Sequence, residues 1–149
     1  MIAVYHVSGD LPELQRVYRA ASLSNAGDAP LLLARPEFLV FAGDDIPTGR
    51  TRVAADPRIL GFATTNDDGA DGLSLVDLFV DPEQQRRGIA RRLIADITDS
   101  ARSTGHRHLS VVGNPHALAF YLAVGFTEIG RIATELGPGL YLRRDLTTA

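Results

Sequence analysis

From Val80 to Arg91 the chain reads V-D-P-E-Q-Q-R-R-G-I-A-R, a stretch whose residue types and spacing can bind and hold an anion. Pro82 has no N–H and drives Asp81 out of the helical region, so the apolar β-type run Leu73 to Val80 must stop there. From Gly88 a helical stripe follows, with Ile89, Leu93 and Ile97 recurring four apart and Ala90, Ile94 and Ala101 beside them. The link between the two, Glu83 to Arg87, is polar and carries two arginines. Gly88 lets the backbone come close to a ligand. A helix that starts there presents unpaired N–H groups and the positive end of its dipole. The expected anion is a phosphate or pyrophosphate. No Walker lysine and no G-x-G-x-x-G accompany the turn, which disfavours nucleotide hydrolysis and dinucleotide binding.

Asp77 interrupts the apolar strand just before this turn, and an acid in such a place needs a partner or a pocket. The four histidines, His6, His106, His108 and His116, lack metal-ligand spacing, and no H-E-x-x-H occurs. Without cysteine there is neither a disulfide framework nor a cysteine-zinc site. No metal is expected, and His106 and His108 read as surface residues.

The remaining classes narrow by composition. A length of 149 residues suits a single domain, 1–149, with 45% hydrophobic and 22% charged residues, ordinary for a soluble globular protein. A net charge of −3 argues against nucleic acid as a partner, because phosphate contacts need a basic face. The pairs Arg86-Arg87 and Arg91-Arg92 are too local for a duplex and suit a small phosphorylated ligand. No apolar run reaches the roughly 20 residues that span a bilayer, and Met1 to Tyr5 lacks the basic start of a signal peptide. No membrane association and a cytoplasmic setting are expected.

The elements that position the turn read as follows. Ile2 to Val7 is a first strand, and Asp10 with Glu13 has capping-box spacing before a helix that runs to about Leu23, Pro12 sitting in its first turn. Ser24 to Pro30 is a loop, and Leu31 to Phe41 a short helix broken at Arg35-Pro36 and resumed from Glu37. After the loop Gly43 to Gly49, Thr51 to Ala55 and Ile59 to Thr65 are strands joined by Asp56-Pro57-Arg58. Asn66 to Gly72 turns into the central strand. The helix from Gly88 ends near Thr104 at Gly105, as a C-terminal glycine should end it. His108 to Val112 is a strand, His116 to Val124 a short helix stopped by Gly125, and Phe126 to Thr134 and Leu140 to Arg144 the last two strands. Strands before and after the helices imply an α/β or α+β sheet covered on both faces.

Gln85-Arg86-Arg87-Gly88-Ile89-Ala90 matches Q/R-x-x-G-x-G/A, and Val80-Asp81-Pro82 supplies the V-x-P before it. Downstream, Asn114 followed by Phe120-Tyr121-Leu122-Ala123-Val124-Gly125-Phe126 matches N-x6-Y-x3-G-F. Together the two segments resemble the GCN5-related N-acetyltransferases (GNAT), over Leu73 to about Arg144 well and over the first third loosely. The resemblance implies the GNAT acyl-CoA fold, a central mixed, mostly antiparallel sheet, and transfer of acetyl from acetyl-CoA directly to a primary amine. The acceptor is a small molecule or peptide, and the protein a monomer or homodimer. By the same resemblance, the site is Gln85, Arg86, Arg87, Gly88, Ile89, Ala90 and Arg91. The amides of Arg87 to Arg91 hold the pyrophosphate, assisted by the side chain of Arg86 or Arg87. The backbone of Leu78, Phe79 and Val80 bonds the pantetheine arm. Asn114 orders that arm or is an Asn-Pro turn residue. Tyr121 protonates the departing thiolate or packs between helix and sheet. Asp77 is the base for the acceptor ammonium, its anchor, or the partner of an arginine. Many relatives carry a glutamate on the next strand, where Leu109, Ser110, Val111 and Val112 offer no carboxylate. His116 lies close enough in sequence to line the acceptor pocket. The alternative is a non-catalytic acyl-CoA sensor of the same fold.

Overall fold

The computed structural model describes residues 1–7, 9–69, 71–135 and 137–147. Seven strands form one sheet: β1 (Ala3–His6), β2 (Thr51–Ala55), β3 (Ile59–Asp67), β4 (Gly72–Val80), β5 (His108–Gly113), β6 (Thr127–Thr134) and β7 (Gly137–Asp145). Their order is β1-β2-β3-β4-β5-β7-β6. The β4–β5 pair is parallel, while β1–β2, β2–β3, β5–β7 and β6–β7 are antiparallel. The helices are α1 (Leu11–Leu23), α2 (Ala29–Ala34), α3 (Ile89–Ser103) and α4 (Leu118–Ala123). This is the expected mixed α/β, mostly antiparallel sheet.

The chain divides into two compact units, Met1–Thr64 with Asp77–Leu93, and Thr65–Val76 with Ile94 onward. In the first, Leu14 and Val17 of α1 pack with Val53, Ala55, Ile59 and Phe62, joined by Tyr18, Phe41 and Phe79. Gly61 points to the opposite face, where a Cβ would lie 3.0 Å from Ile89 and 2.9 Å from the Phe79 carbonyl. Side chains alternate across a strand, so α1 and the start of α3 cover opposite faces. In the second unit, Leu109, Leu140 and Leu142 are fully buried with Ile94 and Ile97 of α3. The β4–β5 ladder runs from Gly72–His108 to Leu75–Val111, and Val112 and Gly113 then pair only with β7.

Element boundaries fall within two or three residues of expectation, with instructive departures. The capping box at Asp10 does not form: Asp10 sits at φ 66° and its side chain makes no cap. Glu13 is taken instead by two arginines, its Oε2 lying 3.2 Å from Arg16 and 3.1 Å from Arg58. Charge-assisted bonds outcompete a neutral amide for the carboxylate. α2 begins at Ala29 inside the expected loop, with Pro30 in its first turn where a missing N–H costs nothing. The resumed segment is a 3-10 turn, Pro36–Leu39. β7 begins at Gly137 despite its Gly-Pro-Gly start, because the hairpin pairs Thr134 with Gly137 and Ala133 with Pro138.

Candidate functional site

The turn before α3 is built from its flanks. Asp81 accepts the Glu83 N–H at 3.0 Å, capping the 3-10 turn Pro82–Gln84, and its own N–H donates to the Leu60 carbonyl at 2.8 Å. Arg16 of α1 donates to the other Asp81 oxygen at 2.8 Å and to the Ile59 carbonyl at 3.1 Å. Burial pushes the Asp81 carboxyl up, but Arg16 and the Glu83 amide outweigh it and hold the group below its ordinary value. The strand end is thus clasped to both β3 and α1. Asp81, present in the motif only as its middle residue, is the anchor of the turn, a role not read from the sequence.

Beyond that anchor the backbone bends through two left-handed residues, Arg86 at φ 69° and Gly88 at φ 72°. Gln85 to Gly88 are exposed, and a Cβ on Gly88 would meet nothing within 4 Å. The Gly88 carbonyl accepts the Arg92 N–H at 2.9 Å, so Ile89, Ala90 and Arg91 are the first helical residues, whose amides have no intrahelical acceptor. Ile89 is itself 2% exposed, so its side chain belongs to the core and only its backbone faces the turn. Arg87 is tied down at the surface: it donates to Gln84 at 2.8 Å and to Asp56 at 2.9 Å. Both arginines expected to assist an anion are exposed, and Arg87 is the one already paired with Gln84 and Asp56.

Asp77 lies on the same face as Phe79, whose ring meets Phe62 at 5.6 Å and Tyr18 at 4.7 Å. Burial raises the Asp77 carboxyl; a hydrogen bond from Thr64 opposes the rise, and the charge of Asp45 adds to it. The groups that act on the Asp77 carboxyl are a hydroxyl, Thr64, and another acid, Asp45, and its charge in turn raises the Tyr18 phenol. Tyr18 donates to the Phe38 carbonyl at 2.6 Å, tying α1 to the segment before the 43–49 loop.

The second unit holds Asn114 and Tyr121. Asn114 accepts the His116 N–H at 3.0 Å, capping the 3-10 turn Pro115–Ala117 that leads into α4. His116 is exposed. The Tyr121 ring stacks edge-on with Phe120 at 5.3 Å and Phe126 at 5.4 Å, and the residue is 7% exposed. Burial pushes its hydroxyl up to about 12. Among the described residues the hydroxyl has no hydrogen-bond partner, although it is not fully shut from solvent. The ring is held in place by a Cβ-free neighbour, Gly113, where a methyl would come within 2.8 Å of it. Arg144 donates to the Val124 carbonyl at 3.0 Å and fixes the end of α4. His106 and His108, expected at the surface, are half-buried there and take Asp67 at 2.9 Å and Asp68 at 3.0 Å as partners. Among the described residues no helix is long and apolar enough to cross a membrane.

Residues 48–137 match a family described as the acetyltransferase (GNAT) domain. Over 80 residues the chain is 34% identical to the [ribosomal protein bS18]-alanine N-acetyltransferase of Salmonella typhimurium, covering 52% of this chain and 53% of that protein. Over 71 residues it is 48% identical to the N-alpha-acetyltransferase RimI of Mycobacterium tuberculosis, 44% of each. The chain thus spans about half the length of the curated relatives it matches. Its fold is that of the PaiA N-acetyltransferase of Thermoplasma acidophilum in complex with coenzyme A, with TM-score 0.75, 18% identity and coverage of 97% and 99%. It is equally that of the Escherichia coli ribosomal-protein-S18-alanine N-acetyltransferase, with TM-score 0.71, 20% identity and coverage of 100% and 96%.

Proposed function

The chain belongs to the acetyltransferase (GNAT) family, and on that premise we propose that it is one cytoplasmic catalytic domain that moves acetyl from acetyl-CoA to a primary amine. The observation that carries this reading is the exposed left-handed turn Arg86–Gly88 opening into the unpaired amides of Ile89, Ala90 and Arg91. Such amides, with the helix dipole behind them, suit the pyrophosphate of CoA. The backbone of Leu78, Phe79 and Val80, on the strand that enters the turn, receives the pantetheine arm. Asn114 is assigned the same arm, while its capping bond to His116 supports the turn role as well.

The acceptor arrives as an ammonium, which has no lone pair for attack. Asp77 takes one of its protons; a carboxyl raised by burial is a stronger base than an exposed one. The freed amine attacks the thioester carbon, the C–N bond forms, the nitrogen sheds its second proton to water, and the C–S bond breaks with its electron pair leaving on sulfur, which water protonates. Tyr121 presents its O–H to that sulfur. The names of the two relatives make the free N-terminus of a peptide the first acceptor class to test. The test is acetylation of an amine panel, including short peptides with free and blocked N-termini, followed by mass. A product on free N-termini, lost by about 10²-fold in Asp77→Asn, is expected. CoA binding with no acetylated amine across the panel would overturn catalysis and leave an acyl-CoA sensor.

A further inference from the structure

Two of the most deeply buried polar side chains in the first unit are Thr51 and Thr64, each 0% exposed. They are register partners on β2 and β3, and their hydroxyl oxygens lie 3.0 Å apart. The neighbouring row on the same face is Val53 opposite Phe62, with the Phe62 ring 5.6 Å from that of Phe79 on β4. β3 and β4 are adjacent strands joined by a short turn, hence antiparallel. Two residues on from Phe62 is Thr64, and two residues back from Phe79 is Asp77. The next row is therefore Thr51, Thr64, Asp77, running across three strands. By that register Thr64 is the cross-strand neighbour of Asp77, and its hydroxyl works against the rise that burial gives the Asp77 carboxyl.

Proton counting gives this row a direction. An ionised carboxylate only accepts, and a threonine hydroxyl has one proton to give. A Thr64 hydroxyl that donates to an ionised Asp77 leaves Thr51 as the donor of the 3.0 Å pair. If Asp77 gains a proton, it can donate to Thr64, and the row runs the other way without any heavy atom moving. We propose that Thr64 is the positioning residue of Asp77, and that the Thr51–Thr64 pair aims its carboxylate at the amine and holds it ionised between turnovers. This rests on the reading of Asp77 as the base. The other groups facing Asp77 work against ionisation or are neutral: Asp45 from the 43–49 loop, itself 3.8 Å from Arg50, and Tyr18 of α1.

The direct test is the carboxyl titration of Asp77, followed by carbon NMR in the full chain. Thr64→Val alone would leave the Thr51 hydroxyl buried without its partner, so the double variant Thr51→Val/Thr64→Val is made beside it. Removing both partners with shape kept is close to neutral for folding. In both, the Asp77 midpoint is expected to rise by about one pH unit, and the acid limb of kcat/KM on the acetylated amine to rise with it, roughly tenfold in rate below the limb. Thr64→Ser restores the hydroxyl and should return both midpoints. An unmoved Asp77 titration in the valine variants, or one that serine fails to restore, overturns the proposal whatever the activity. A moved titration with an unmoved acid limb also overturns it, because Asp77 would then be held by Thr64 for no catalytic purpose. If the parent acetylates no amine while the titration moves and is restored, the hydrogen-bond row stands and the proposed function falls.

Discussion

Tyr121→Phe separates chemistry from packing because it deletes one oxygen and nothing else. The ring is wedged between Phe120 and Phe126 and pressed on Gly113, and a phenylalanine ring makes the same contacts. Its hydroxyl has no partner among the described residues, so the change should move folding stability by less than about 0.5 kcal/mol. The catalytic cost follows from the pKa. A phenol pushed up to about 12 is a poor donor to a thiolate. Against an ordinary thiol near 8.5, full transfer would be uphill by roughly 3.5 units, or about 5 kcal/mol. Tyr121 is therefore expected to stabilise the leaving sulfur as a hydrogen-bond donor, with water completing the proton transfer. A hydrogen bond to a charged group contributes about 1.5–3 kcal/mol, so kcat should fall roughly 10- to 100-fold with acetyl-CoA affinity unchanged. Thiol release under saturating amine gives kcat, and CoA calorimetry gives affinity. A 10⁴-fold loss would show that the proton is fully transferred and that burial weakens this acid less than argued. A full-rate variant would make Tyr121 scaffold.

Three further outcomes check other parts of the argument. Gly88→Glu meets no protein atom within 4 Å but places a carboxylate at φ 72° where the pyrophosphate would sit, so CoA should cease to raise Tm while the free protein loses about 1 kcal/mol and still folds. Gly113→Ala needs no left-handed backbone, yet its methyl lies 2.8 Å from the Tyr121 ring, so urea unfolding should show about 1–3 kcal/mol lost and kcat reduced with it. The two aspartates of β4 and its turn should show opposite pH signatures in denaturant titrations. The raised Asp77 opposes folding at neutral pH, so Asp77→Asn should stabilise there and lose that advantage as pH falls through the raised folded value, the loss being complete below the unfolded value near about 4. The lowered Asp81 favours folding above that value, so Asp81→Asn should destabilise at neutral pH and converge on the parent in acid.

Most of the fold was legible because its signals are local. The punctuation Asp81-Pro82, Gly88 and Gly105, with a four-residue apolar stripe between, marks β4, the turn and α3 to within a residue or two. The first third was harder for a physical reason. Pro30 and Pro36 can begin helices as readily as break them, and the residues at the two starts, Asp28 and Arg35, make no side-chain cap that would mark them. Here Asn25 supplies its side-chain oxygen to the amides of Gly27 and Asp28, and the chain turns early into α2. The failed capping box at Asp10 has the same origin: Glu13 has the right spacing for its local amide, but Arg16 and Arg58 reach it from one turn and 45 residues away.

The candidate site was legible only where it is made of backbone. A left-handed turn ahead of helical amides announces itself through glycine and the residues around it, and so the Gln85–Gly88 segment could be found from one dimension. What surrounds a catalytic side chain cannot, because the partners come from other strands. Thr51 and Thr64 look like ordinary β-formers in T-R-V-A-A and I-L-G-F-A-T-T, and their branched side chains favour strands whether or not the hydroxyl is used. Nothing in their own neighbourhoods separates them from Thr65 or Thr127. Only the register, with Thr51 opposite Thr64 and Phe62 beside Phe79, lines their hydroxyls up with the one acid in an apolar strand. Asp77 stood out by being costly where it is; the groups that offset the cost are inconspicuous because each is at home in its strand. An acid in an apolar strand is therefore a question about its cross-strand neighbours, and in this chain the row that reaches it carries two threonines.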